Sequence, residues 1–206
     1  MASALQLVRQ HRLTLILLNV GFFSLVALGT IYAFANPSAQ QTLIQTIVEG
    51  FGTQPLNWAR DAYLSRSVPA AAAVTFAVNS LLGSFLSITV TSLLIPFLGV
   101  AVGFYRALVW GLALAPTSPE LAWAMIPHSV TLVLEGEGYI LAMFGVHLLW
   151  QSAFKGLQEG GPRGLLAGYK AGLRANLHIY ILVLLVLAVA AIYEAVELIY
   201  IVAGSR

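Results

Sequence analysis

From Ile181 to Ile192 the chain runs Ile-Leu-Val-Leu-Leu-Val-Leu-Ala-Val-Ala-Ala-Ile without a polar side chain. Extended to Leu177 and Ala203, the segment exceeds the roughly 20 residues that carry a helix across the hydrocarbon of a bilayer. A strand of a membrane barrel would alternate apolar and polar residues over about 10 positions. This run shows no such alternation. Four more blocks of the same kind precede it. Across the 206 residues, 59% are hydrophobic and 9% charged, against roughly 45–50% and about 25% in soluble domains. No polar stretch is long enough to fold as a separate soluble domain. The chain therefore reads as all-α, a polytopic membrane helix bundle forming one integral membrane domain over residues 1–206.

Five spans are expected, at about 13–35, 69–95, 96–115, 129–151 and 177–203. The second and third together are too long for one tilted helix. Pro96 lacks a backbone donor and crowds the preceding turn, which places the break there. The first span ends in Ala33-Phe34-Ala35, which has the form of a leader cleavage site. Its apolar stretch is longer than the usual 7–15 residues of a signal peptide, so it is expected to be kept as a span.

Lys and Arg in short loops set orientation. With the N-terminus inside, Arg9, Arg12, Lys155, Arg163, Lys170 and Arg174 lie inside, and Arg60, Arg66 and Arg206 outside, six against three. The expectation is a multi-pass protein of the cell membrane with a cytoplasmic N-terminus and an external C-terminus.

Two connections are long enough to be structured. Residues 38–66 space Leu43, Ile44, Ile47, Val48 and Phe51 at helical intervals, followed by Trp58 and Tyr63. That pattern predicts an amphipathic helix on the outer surface, as a lid or a partner surface. Residues 151–176 form the inner loop, broken at Gly160-Gly161-Pro162. Gly164, Gly168 and Gly172 recur every fourth residue, a spacing that lets another helix approach closely. Lys170 and Arg174 are expected on the same side. With Lys155 and Arg163 they form the inner contact set, for lipid phosphates or an acidic partner.

Charges inside the spans need a reason, because each costs at least about 2.5–3.5 kcal/mol at bilayer depth. They are Arg106, Glu135, Glu137, Glu194 and Glu197, accompanied by Asn79 and His147. At about 1.5 Å per residue, Asn79, Arg106, Glu135, Glu137 and Glu194 fall at one level in the outer half of the bilayer. They come from four helices. A two-pronged pair of Arg106 with Glu135 or Glu137 is expected. The surplus carboxyls could meet a partner subunit, or serve a proton or a cation. Gly99 and Gly103 form a GxxxG packing motif.

Other chemistry is not indicated. The absence of cysteine excludes disulfides and thiolate metal sites. His11, His128, His147 and His178 have no ligand spacing. No nucleophile–histidine–acid set and no phosphate-binding loop is present. Catalytic, cofactor and metal sites are thus expected to be none, and the net charge of +2 gives no reason to expect nucleic acid.

Ile126-Pro127-His128, followed by Leu134-Glu135 and Tyr139-Ile140-Leu141-Ala142, resembles the signature of the stage II sporulation protein M family. Asn79 and the glycine-bearing run 99–111 resemble that family's second and third spans. The family's Glu usually follows its His by four residues. Here that position is Leu132, so the family motif is carried onto Pro127, His128 and Glu135 with a shift. The resemblance implies a small non-enzymatic membrane protein of about five spans that scaffolds other proteins. It also implies a distant likeness to permease subunits of ABC-type exporters.

The expected function is a non-catalytic integral subunit that scaffolds or stabilises a membrane complex. Its partners would be the lipid bilayer and other membrane subunits or further copies of itself. The alternatives are a permease-like subunit served by a cytoplasmic ATPase, and an accessory subunit of an energy-converting complex.

Overall fold

The computed structural model describes residues 2–52 and 57–202, and among these every regular element is helical. Helix α1 spans Ala2–Gln10 and α2 Arg12–Ala35; α3 spans Pro37–Gly52 and α4 Asn57–Leu64. Helix α5 runs Val68–Leu94, α6 Leu98–Ala113 and α7 Pro119–Val202. Three of them, α2, α5 and α7, are long and apolar enough to cross a membrane, while α6 is a shorter apolar helix of 16 residues.

Local chemistry explains the boundaries. Ser67 caps α5 by accepting from the Ala70 amide, with Pro69 in the first turn. The helix ends before Pro96, as expected. Ile95 is extended, as a residue before proline must be, and Phe97 turns left-handed at φ 60° before α6 begins. Ser118 caps α7 in the same way as Ser67 caps α5, with Pro119 in its first turn. This cap starts the helix about ten residues before the expected span. Pro127 is carried inside it.

Helix α7 is a hairpin. Gly160 (φ −144°, ψ 19°) and Gly161 (φ 58°, ψ −147°) leave helical geometry, and the latter value suits only glycine. Residues 162–202 then return along 119–159. Gly164 meets Gly156, Gly168 meets Ser152, Gly172 meets Leu149, Gly145 meets Asn176, and Gly138 meets Leu187. The expected inner loop is therefore mostly helix. Its glycine stripe is where the two arms touch backbone to backbone. Lys170 and Arg174 are exposed and do not share that face. Two positions along a helix from Gly168 and from Gly172 is nearly the opposite side.

The first arm of α7 is the centre of the bundle. From Gly138 to Leu149 only His147 is not buried. Helices α2 and α6 cross tightly beside it. An added Cβ on Gly111 would overlap the Val26 carbonyl, and one on Gly29 would overlap that of Leu108. The Thr30 hydroxyl donates to the Gly111 carbonyl at 3.2 Å. Of the predicted GxxxG, Gly99 packs on the Ile88 carbonyl of α5 and Gly103 on Met143. The outward faces of α2, α5 and α7 carry large exposed apolar residues, among them Leu13, Ile31, Leu94 and Leu177, as lipid contact requires.

Helices α3 and α4 cap one end of the bundle. Gln40 is buried and donates to the carbonyls of Ala113 (3.2 Å) and Ala115 (2.8 Å), while its own oxygen accepts from Thr117. Tyr63 shares a hydrogen bond with Thr75 of α5. The expected amphipathic segment is thus two helices docked as a lid. The Phe51 and Trp58 side chains lie outside the described residues.

Candidate functional site

Beneath this lid lies a cavity of about 720 Å³, within the roughly 300–1,000 Å³ usual for ligand sites. Ile47 and Tyr63 close it from above; α5, α6 and both arms of α7 wall it. Most of its lining is apolar, including Val78, Val109 and Leu132. Its polar lining includes Tyr63, Thr75, Asn79, Arg106, His128, Glu135, Tyr139 and Glu194.

Four of the five residues expected as an intramembrane polar cluster line it: Asn79, Arg106, Glu135 and Glu194. Asn79 joins two of the partners. Its amide donates to Glu135, and its oxygen accepts from the Tyr139 hydroxyl at 2.8 Å. Glu135 is buried, and its carboxyl meets that of Glu194 from the other arm. A hydrogen bond between two carboxyl groups needs a proton on one of them. The Glu194 Oε2 atom is buried without a hydrogen-bond partner.

Arg106 is the only charged residue of α6. Its expected pair with Glu135 or Glu137 does not form. Among the described residues the side-chain ion pairs are His128–Glu197 and Lys155–Glu159. The guanidinium sits over the Tyr139 ring instead, 4.6 Å from its centre. Cation–π contact of this kind satisfies the charge without using up the five N–H donors. Gly83 makes the room. A Cβ there would stand 2.6 Å from the Tyr139 hydroxyl and 2.9 Å from Arg106 Nη1.

Glu137 is the residue that the cluster leaves out. It is two positions from Glu135, so it points away and faces Asn19 of α2. Glu197 closes the cluster at its lid end. It is fully buried, accepts from Thr131 at 2.7 Å, and pairs with His128 at 3.1 Å. His128, Thr131, Glu135 and Tyr139 form one stripe of the first arm. Glu194 and Glu197, three residues apart, face it from the second.

Tyr139, Thr131, Thr75 and Tyr63 were not expected as site residues. The spacing Glu135–Tyr139 was a usable signal, since residues four apart share a helix face. Tyr63 gave none, because its place depends on how the lid docks. Burial, and then the Glu194 charge, push its hydroxyl above the usual tyrosine range, so it stays neutral and acts by hydrogen bonding.

Asn79 is the second residue of the π-helical part of α5, Val78–Val90, and Glu197 opens that of α7, Glu197–Val202. π-helical turns inside α-helices are frequently found at functional sites. The basic residues expected as an inner contact set lie elsewhere, around the hairpin tip. Lys155, Arg163, Lys170 and Arg174 are exposed, and Lys155 is 3.9 Å from Glu159. No group of three or more metal-binding side chains occurs among the described residues.

No protein-family model, no curated protein and no solved structure matches the chain. His128 and Glu135 lie on one face of the central helix and both line the cavity.

Proposed function

We propose that the chain is a permease-like membrane subunit whose cavity under the α3–α4 lid is the substrate site. It crosses the cell membrane five times: α2, α5, α6 and the two arms of α7. The N-terminus is cytoplasmic and the lid external, as the distribution of Lys and Arg favours. The observation that carries the reading is the cavity itself. Charged and polar groups from α5, α6 and both arms of α7 line an open volume at one end of the bundle. A purely scaffolding role would also tie in Arg106, as Asn79 and Glu135 tie α5 to α7. Among the described residues Arg106 is instead left without a carboxylate, beside carboxyls that pair with each other. The exposed basic hairpin tip would face the cytoplasm, where an ATPase or anionic lipid could meet it.

Transport requires the lid end to open and close. The chain has no cysteine, so spin labels can be placed without background. With Thr46→Cys on α3 and Ala122→Cys at the start of α7, electron resonance on the reconstituted protein should give two populated separations. A single narrow separation would contradict transport and leave scaffolding the better reading.

A further inference from the structure

The same cavity presents two unmatched ends. One is the Arg106 guanidinium, held over Tyr139 with no carboxylate of the described residues within ion-pair distance. The other is Glu194, whose Oε2 is buried without a partner next to the Glu135 carboxyl. Between them runs a filled chain of contacts, from Tyr139 to Asn79 to Glu135. The protein has thus satisfied the middle of the array and left both ends without an ion-pair partner among the described residues: Arg106 reaches only Tyr139, and Glu194 only Glu135 and Thr75. A buried polar group left unmade is costly, and an ionised one more so. Arg106 and Glu194 are each half-buried, so a ligand that completes both ends recovers part of that cost at each.

Resting on the cavity as substrate site, we infer that it binds a small zwitterion carrying an ammonium and an oxyanion. The oxyanion goes to Arg106, whose planar fork suits a carboxylate or phosphate. The ammonium goes to the Glu194–Glu135 pair. The rest of the ligand lies against Val78, Val109 and Leu132, so an aliphatic side group is accommodated. A cation alone would leave Arg106 unanswered, and an anion alone would leave Glu194. The same chemistry exists in a free amino acid and in a phosphoethanolamine headgroup.

The test uses Val78→Cys, a near-isosteric change in the cavity wall, and follows the rate at which a small maleimide modifies it in the purified protein. Leucine should slow the modification at least ten-fold. Leucinamide, which lacks the anion, and N-acetylleucine, which lacks the ammonium, should not. Adding Arg106→Gln or Glu194→Gln should abolish protection by leucine, so that each variant is modified equally fast with and without it. If Arg106→Gln does not fold, Arg106→Lys should fold and protect more weakly. Bilayers of phosphatidylethanolamine and of phosphatidylglycerol separate the two sources. Slowing in the former alone, without leucine, assigns the zwitterion to a lipid headgroup and supports the inference. Equal protection by leucinamide overturns it, as does no protection by leucine or phosphatidylethanolamine. If two spin-label separations are seen while nothing protects, transport stands and the zwitterion falls. Protection with a single separation keeps the zwitterion and removes transport.

Discussion

Gly83 sets how the charged end of the cavity is built. It is buried, and its missing side chain is the space that Arg106 and the Tyr139 hydroxyl occupy. Gly83→Ala should therefore displace one of them and cost about 1–3 kcal/mol, the usual range for overpacking. Unfolding in detergent measures this, and an unchanged midpoint would show that the pocket yields freely. Sequence made part of this site legible. Arg106, Glu135 and Glu194 stand out because ionised groups are rare inside apolar runs, and residue counting placed them at one depth. Depth along a helix is readable from sequence, but the direction each side chain takes around it depends on packing. That is why Arg106 was expected on a carboxylate and is found on Tyr139, and why Glu137 was counted into a cluster from which it points away.

At the scale of elements, the α7 hairpin holds both halves of the cluster in register. Its arms approach closely because Gly156, Gly164, Gly168 and Gly172 bring backbone against backbone. This places Glu194 and Glu197 opposite Glu135 and Thr131 many residues further along. Gly168→Leu should push the arms apart at Ser152 and lower stability by about 3 kcal/mol, the upper end of ordinary overpacking. Calorimetry or denaturation in detergent would report it. A stability loss under about 0.5 kcal/mol, as for a surface site, would mean the arms are not in contact there. The glycine period was visible in the sequence, but its partner was not. Read as a loop, residues 151–176 had no helix to offer the stripe; read as two arms joined at Gly161, they supply both surfaces. The π-helical turns that hold Asn79 and Glu197 had no sequence signal, since a polar residue inside an apolar run marks depth and not the width of a helical turn.

For the whole molecule, the apolar blocks foretold an all-helical chain with membrane-length helices, because hydrophobic length is a property of sequence alone. How the lid sits over the bundle was not foretold. It depends on Gln40 reaching the end of α6 and on Tyr63 reaching Thr75, contacts between distant segments. Together these place the polar array of the hairpin at the floor of a cavity that the lid covers. If that cavity is a transport site, it must be reachable in turn from each side of the membrane. In sealed vesicles of known orientation, Val78→Cys should be modified by a membrane-impermeant maleimide applied from the lid side and, more slowly, from the hairpin-tip side. Modification from one side only, or from neither, would contradict it.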